Sequence, residues 1–367
     1  MNELICLDMP CGPQMVDRIR KAWDEGDAIF PLDQRLPLSA RIQVINAVSP
    51  TRISTITDEA RHDGRAIETG DAVVVATSGT TGNPKAVILT HDAVIASAQA
   101  TSARLNVTDD DIWLACLPPS HVGGLSVILR SLVTGTSVIA VPSFSVEAYN
   151  EAARNGATLV SLVSTALQRV DTSRFRTIVL GGAKPPHFRP SNSVTTYGMT
   201  ETGSGVVYDG IPLDGVEVDI RDSIIYLRAP MLLRGYRDGT SPVGSDGWFR
   251  TGDIGTFTNG VLSVEGREGD LIITGGENVW PEAVEEAIRQ TTNFTDVCVA
   301  GVANTEWGQL VTAWIVSNHP QSLEQIRESV KTLLPAHCAP KQVFYVDEIP
   351  RTALGKPRRS ELIASIN

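Results

Sequence analysis

Thr77-Ser78-Gly79-Thr80-Thr81-Gly82-Asn83-Pro84-Lys85 follows directly on the apolar run Val73-Val74-Val75-Ala76. The run has the composition of a buried strand, so the glycine-rich stretch begins where a strand ends. Gly79 and Gly82 let the backbone turn where a side chain would clash, and several N–H groups can then point inward. Thr77, Ser78, Thr80 and Thr81 add hydroxyl donors, and Lys85 adds a cation. Hydroxyls, permissive glycines and a positive charge make a grip for phosphate, and a nucleoside triphosphate is its natural guest. The spacing is not that of the Walker loop, whose lysine follows the second glycine at once; here Asn83 and Pro84 intervene.

Around this loop, strand-like runs at 73–76, 113–117, 137–141, 159–163 and 177–180 alternate with helix-like stretches at 92–104 and 145–155. Such alternation implies mostly parallel sheets covered by helices, an α/β fold. From about Gly210 the segments shorten and turns multiply, which reads as a small β-rich subdomain with strands at 215–220 and 224–227. A break near Gly266 precedes a strand at 271–273, a helix opening at Pro281, strands at 297–302 and 311–317, a helix over 323–334 and a strand at 343–346. These make a compact α+β unit of about 100 residues, an ordinary domain size. The expected organisation is a large N-terminal body over 1–265 and a small C-terminal domain over 266–367.

Composition narrows the function classes. The chain has 367 residues, 42% of them apolar, which suits about two domains with sizeable cores. A formal charge of -11, with only Lys356-Pro357-Arg358-Arg359 as a basic cluster, argues against a nucleic-acid partner. Cys6, Cys11, Cys116, Cys298 and Cys338 are scattered and contain no C-x-x-C, so neither a disulfide framework nor a zinc site is indicated, and a reducing cytoplasm is the expected home. No run of about 18 apolar residues exists, and MNELICLDMPCGP lacks a basic leader region, so no integral membrane segment is expected. A homo-oligomer is left open.

Further segments carry chemistry. Gly181-Gly182-Ala183 follows the strand-like Ile178-Val179-Leu180 and by itself reads as a turn. Tyr197-Gly198-Met199-Thr200-Glu201-Thr202 joins a flat ring with a polar tip to a carboxylate, the hard ligand that Mg2+ prefers while it also binds substrate phosphates. Gly247-Trp248-Phe249-Arg250-Thr251-Gly252-Asp253 ends on a carboxylate able to accept from two hydroxyls at once. Glu265-Gly266-Arg267-Glu268-Gly269-Asp270 and Arg351-Thr352-Ala353-Leu354-Gly355-Lys356 complete the series. In this order, over residues 70 to 362, the segments resemble the motifs of the adenylate-forming enzymes: acyl-CoA synthetases, luciferases and peptide-synthetase adenylation domains.

The resemblance implies a body followed by a mobile lid, with ATP, Mg2+ and CoA as reaction partners of a small-molecule carboxylate. It implies that Gly181, Gly182 and Ala183 wall the adenine and that Tyr197, beside Gly198, stacks on it. Thr200 would meet the phosphates, Glu201 would hold the metal, Asp253 would take both ribose hydroxyls, and Arg267 would reach ribose or phosphate. Lys85 and Lys356 would complete the adenylation site. Gly269 would be the hinge about which the lid turns, bringing Gly275, Gly276 and Glu277 beside the channel for the pantetheine thiol. Three departures stand out. Only about 70 residues precede the loop, where family members carry considerably more; Ala86 stands where a glycine is common; and Gly269 stands where the hinge is often Asp, Lys or Ser.

Leu117-Pro118-Pro119-Ser120-His121-Val122-Gly123-Gly124-Leu125-Ser126-Val127, continuing to Leu129-Arg130-Ser131-Leu132, resembles the acyl-pocket region of the family's o-succinylbenzoate-CoA ligase branch, which serves menaquinone biosynthesis. Tyr208-Asp209-Gly210-Ile211-Pro212-Leu213-Asp214-Gly215-Val216 and the reduced N-terminus look like its short actinobacterial type. The resemblance implies that His121 and Ser126 line the acyl pocket and that Gly123 and Gly124 make room for an aromatic ring. A substrate with a second carboxylate also wants a cation, for which Arg130 and Lys184 are both candidates. Another acyl- or aryl-CoA ligase, an enzyme passing its acyl group to a carrier protein, and a non-catalytic nucleotide-binding relative remain as alternatives.

Overall fold

The computed structural model describes residues 2–57, 59–77, 85–182, 188–351 and 357–366. The chain divides into two compact units, Met1–Val218 with Leu227–Phe249, and Asp219–Tyr226 with Arg250–Asn367.

In the first unit the apolar run before the glycine-rich loop forms the strand Asp71–Thr77. It lies inside a seven-stranded sheet, parallel to Ala28–Pro31 and antiparallel to Lys85–Thr90. Leu4–Leu7, Arg52–Ser54 and Glu59–Arg61 extend the sheet on one side, and Gly235–Tyr236 on the other. Both faces are covered, which is why the run is continuously apolar. Val73 and Val75 pack with Met15, Ile19 and Leu89 in one core, while Val74 packs with Phe30, Val48 and Ile88 in another. The stretch before the loop, to which the sequence assigned no elements, thus supplies four strands and the helices Pro13–Asp24 and Leu38–Val48. Its strands are only three or four residues long. Runs this short carry no periodicity, so burial alone distinguishes them.

A second seven-stranded sheet holds Ser137–Ala140, Ile112–Ala115, Leu159–Leu162, Thr177–Leu180 and Ser193–Gly198 in parallel, with Gly205–Tyr208 and Ile211–Pro212 added antiparallel at one edge. The first four of these are parallel runs the sequence implied; Ser193–Gly198 is not among them. The helices His91–Arg104 and Val122–Thr134 pack on each other, and their apolar side chains join both sheets into one core that includes Val73, Leu89, Trp113 and Leu129. Thr90 caps the first of these helices by accepting from Ala93 N at 3.2 Å. Gly135, at φ 76, ends the second in the left-handed region.

The turn-rich stretch after Gly210 contains the strands Glu217–Arg221 and Ile224–Arg228, within which the division between units falls. Phe249–Thr258, in the second unit from Arg250 on, pairs antiparallel with Val261–Arg267. A five-stranded sheet of Ile272–Thr274, Glu277–Val279, Asp296–Asn304, Gly308–Val316 and Gln342–Tyr345 packs against Pro281–Thr291 and Leu323–Lys331 through Val284, Ile288, Val299, Ile315 and Ile326. Pro281 opens its helix at the position where a missing N–H costs nothing, and Ser322 with Gln325 forms a capping box.

One guanidinium ties this unit together. Arg359 donates to Glu282 and Glu285 at 2.9 Å each, to Asp270 at 3.3 Å and to the Val299 carbonyl at 2.8 Å. Arg359 and Glu285 side chains are 11% and 6% exposed. Burial holds the Glu285 carboxyl above its ordinary range even beside Arg359. Arg359→Met would strand these carboxylates, so urea unfolding of the variant is expected to lose about 3–5 kcal/mol, the usual cost of breaking a buried pair. A loss under about 1 kcal/mol, typical of surface pairs, would contradict the assignment.

Candidate active site

Ser78, Gly79, Thr80, Thr81 and Gly82 lie outside the described residues, as do Ala183, Lys184 and Lys356. The two ends of the glycine-rich loop are nevertheless placed. Thr77 faces Lys85 across the strand pair and donates its hydroxyl to the Lys85 carbonyl at 3.3 Å. The Lys85 ammonium stands 4.9 Å from the centre of the Tyr236 ring. The Tyr236 hydroxyl in turn donates to Glu201 Oε1 at 2.9 Å. Tyr236 therefore joins the loop lysine to the carboxylate of the tyrosine motif.

Local structure fixes this arrangement. Tyr236 is held opposite Val87 by the short strand Gly235–Tyr236. Thr200 and Glu201 sit in the 3-10 turn Thr200–Thr202. The Glu201 carbonyl accepts from Leu233 N at 2.8 Å. Thr202 Oγ1 accepts from Met199 N at 2.9 Å and donates to the Ser204 carbonyl at 2.7 Å. Sequence reasoning does not single out Tyr236. Its only local signal is the Gly235-Tyr236 pair, in a two-residue strand whose partner only the sheet supplies.

Gly181 and Gly182 leave the strand Thr177–Leu180, and Tyr197 and Gly198 end the parallel neighbour Ser193–Gly198. A Cβ on Gly181 would lie 2.9 Å from Thr196 Oγ1, and one on Gly198 would lie 2.2 Å from the Ser204 carbonyl oxygen, where the ladder shifts register. Tyr197 is paired with Val207 and half-buried. The glycine pair, the tyrosine motif and the loop leading to His121 all follow the carboxyl ends of parallel strands, the edge where open α/β sheets bind ligands.

His121 precedes the helix Val122–Thr134 with extended backbone. Its Nε2 is 3.7 Å from Asp33 Oδ2 and has no hydrogen-bond partner among the described residues. Burial first, then Arg35, push the imidazole below its ordinary 6.5, against the pull of Asp33, so the ring is held neutral. Asp33 comes from the N-terminal stretch and carries no motif. A Cβ on Gly124 would fall 2.4 Å from both the Leu117 and Pro118 carbonyl oxygens, so this glycine lets the helix close on the loop; at Gly123 the space is open.

Farther along the helix, Ser126 and Arg130 line a cavity of about 10 Å³ together with Ser97 and Leu129, room for about one water. Arg130 is 3% exposed. Its guanidinium lies 4.7 Å from the Trp113 ring centre and donates to Ser204 Oγ at 3.4 Å, while Nε and Nη1 have no partner among the described residues. Burial lowers its pKa.

In the second unit Asp253 and Arg267 face each other on adjacent strands, with Arg267 Nε 3.5 Å from Asp253 Oδ1. Gly269 lies in the 3-10 turn Glu268–Asp270, with no atom within 4 Å of a would-be Cβ. Arg250 donates to both Glu268 carboxylate oxygens, at 2.9 and 2.8 Å. Gly275 and Gly276, at φ 60 and 85, form the two-residue turn between Ile272–Thr274 and Glu277–Val279. Successive positive φ values require such residues. A Cβ on Gly275 would also strike the Trp307 ring at 2.9 Å, whereas Gly276 faces open space. The flanks of the Lys356 segment are pinned: Arg351 bridges to Pro357 and makes two contacts of 2.7 Å to Asp296.

No cluster of three or more His, Cys, Asp or Glu able to hold a metal is present among the described residues. A lone carboxylate suits Mg2+, which takes one or two protein ligands and completes its shell from phosphates and water, and Glu201 is such a carboxylate. All five cysteines are free and buried; burial pushes the Cys116 thiol up to about 12, far from a nucleophilic state.

Two outcomes are expected. Tyr236→Phe removes a hydrogen bond to a charged acceptor and should lower the adenylation rate about tenfold, measured as pyrophosphate release. Because His121 is held neutral in the fold, stability is full above its unfolded pKa and falls as pH drops through about 6.5, so His121→Asn should flatten that acid slope in denaturant titrations. His91, lowered mainly by burial, contributes with the same sign and remains in the variant.

Residues 28–224 match the family described as AMP-binding enzyme, and residues 283–356 match the AMP-binding enzyme C-terminal domain. The 2-succinylbenzoate–CoA ligase of Bacillus anthracis is 34% identical over 331 residues, covering 79% of this chain and 69% of the relative. The o-succinylbenzoate CoA synthetase (MenE) of Bacillus subtilis in complex with the acyl-adenylate intermediate OSB-AMP superimposes with a TM-score of 0.86 at 26% identity, covering 98% of this chain and 88% of that one. The same enzyme in complex with ATP and magnesium ion gives 0.86 at 27% identity, covering 98% and 89%. With the AMP-binding enzyme model matched over 28–224 and its C-terminal domain over 283–356, the chain belongs to the AMP-binding enzyme family.

Proposed function

We propose that this chain is an AMP-forming acid–thiol ligase that activates o-succinylbenzoate with ATP and transfers the acyl group to CoA, a step of menaquinone biosynthesis. The substrate carboxylate attacks the α-phosphorus of ATP and pyrophosphate leaves, giving acyl-AMP. The CoA thiol then attacks the acyl carbonyl, loses its proton and displaces AMP. No side-chain nucleophile is required, and positioning together with charge stabilisation carries both steps.

Lys85 and the hydroxyls of residues 77–81 would bind the phosphates, with Thr200 alongside. Glu201, oriented by Tyr236, would hold Mg2+, which when bound offsets phosphate charge. Gly181 to Ala183 and Tyr197 would enclose adenine; Asp253, oriented by Arg267, would take the ribose hydroxyls. Residues 266–367 would act as the lid, with Gly269 as hinge, Lys356 serving adenylation and Gly275, Gly276 and Glu277 bordering the pantetheine path. The cytoplasm is the proposed compartment. Among the described residues no helix is long and apolar enough to cross a membrane.

The likeness to 2-succinylbenzoate–CoA ligases carries the choice of acid, and Arg130 is the cation proposed for its second carboxylate. This buried cation has no carboxylate among its described contacts and sits one helical turn from Ser126. The cavity beside it has room for about one water, so a second carboxylate would reach this charge only if the helices His91–Arg104 and Val122–Thr134 open there, and it would then offset a charge otherwise costly to bury. The testing assay is CoA-dependent consumption of o-succinylbenzoate with ATP and Mg2+, run beside a panel of aryl and acyl acids. Preference for a monocarboxylate would overturn the substrate assignment, and pyrophosphate release without thioester would overturn the CoA step.

Arg130→Met should raise KM for o-succinylbenzoate about tenfold or more while leaving KM for ATP unchanged, because the lost contact is charge-assisted. Lys356→Ala should nearly abolish acyl-AMP formation yet spare thioester formation from supplied acyl-AMP. Single-turnover measurement of the two half-reactions decides this, and equal damage to both would contradict an alternating lid. At Gly276, Asn tolerates the positive φ whereas Trp adds bulk, so slowed CoA transfer in Gly276→Trp alone separates channel blockage from backbone strain.

A further inference from the structure

A second concave site lies beside Lys85. It is a groove of about 310 Å³ lined by Ser49, Arg65, Lys85, Arg237 and Asp238, within the size range of ligand pockets. Three cations face one carboxylate there, in a chain whose formal charge is -11. The charges differ in how they are held. Arg237 is 5% exposed and donates to the backbone carbonyls of Val48 and Ala66 at 3.0 Å, of Ser49 at 3.2 Å, and of Arg65. Carbonyls fix a guanidinium but do not neutralise it, and burial followed by repulsion from Arg65 pushes its pKa down to about 10. By contrast Arg234, just before Gly235, is neutralised by Asp71 at 2.9 Å and Glu68 at 2.8 Å. Asp238, the single acid of the groove, accepts from Thr240 N at 2.9 Å and Thr240 Oγ1 at 2.7 Å. Arg65 is exposed and has no ion pair among the described residues.

We propose that this groove binds a phosphate-bearing anion. Arg65 is its direct donor and Arg237 the fixed charge behind it, with Lys85 at the border that the groove shares with the ATP phosphates. Two sources supply such an anion in a CoA ligase: pyrophosphate leaving the first half-reaction, and the phosphates of CoA arriving for the second. The choice between them rests on the proposed function, whereas the binding itself does not.

The experiment titrates the full chain with inorganic pyrophosphate, adenosine 3′,5′-bisphosphate and ATP by isothermal calorimetry, in the parent, in Arg65→Ala and in Asp238→Asn. Arg65→Ala should weaken one of the first two about tenfold, as loss of a charge-assisted contact does, and leave ATP affinity unchanged. Asp238→Asn keeps an acceptor for Thr240 but removes the repelling charge, so it should tighten the same ligand. A response to pyrophosphate marks a product site, and a response to the bisphosphate marks a CoA site. Unchanged affinity for both ligands in both variants would overturn the proposal. So would an equal loss for ATP, since the groove would then belong to the ATP site. Arg65-dependent binding in a protein inactive toward every acid tested would sink the proposed function and leave the groove standing.

Discussion

The pairing of Asp71–Thr77 with Lys85–Thr90 is the constraint on which the first unit depends. It must bring both ends of a glycine-rich loop to one rung, Thr77 opposite Lys85, while burying both of its own faces. The period of two in a strand sends Val73 and Val75 to one core and Val74 to the other. Because the same pair also receives Gly235–Tyr236 at its edge, the ring that links Lys85 to Glu201 is positioned by main-chain hydrogen bonds. Sliding this register by one residue would exchange the cores and misplace the lysine together with its aromatic neighbour.

The buried arginines show how the fold separates structural charge from charge kept for ligands. Arg359 meets three carboxylates and a carbonyl, which neutralise it within the second unit. Arg130 and Arg237 are more deeply buried but rest on an aromatic ring, a hydroxyl or carbonyls. A buried guanidinium without an acid keeps an outward field in a medium of low dielectric. Both lie in the unit whose strand ends carry the nucleotide motifs, and that field attracts carboxylates and phosphates.

Several glycines read as ligand-facing have backbone duties as well. Gly124 permits a helix to close on two carbonyl oxygens, Gly198 accommodates a register shift beside Ser204, and Gly275 and Gly276 build a hairpin turn with positive φ. Substitutions at these positions therefore test folding and chemistry together. Gly123 and Gly269 have free space around them and positive φ at neither, so changes there report more directly on function.

The sequence by itself determined the class of the fold, the parallel strands at 113–117, 159–163 and 177–180, and the types of residue in the nucleotide motifs. Those features are local: continuous apolar runs, helix caps such as Thr90 and Ser322, and short motifs whose chemistry is contained in their own side chains. Only the tertiary structure decided the rest. Tyr236 became the partner of Glu201 because a two-residue strand was recruited to a distant edge, and Asp33 reached His121 from a stretch with no periodic signal. Arg130 differs from Arg359 in nothing that composition reveals; the helix Val122–Thr134 packs its arginine between sheets beside Trp113, while the C-terminal helix Arg359–Ala364 delivers its arginine to Asp270, Glu282 and Glu285. Contacts between residues far apart in the chain depend on the cost of closing long loops and on which faces are buried. Those quantities belong to the packed whole and are not encoded in any single segment.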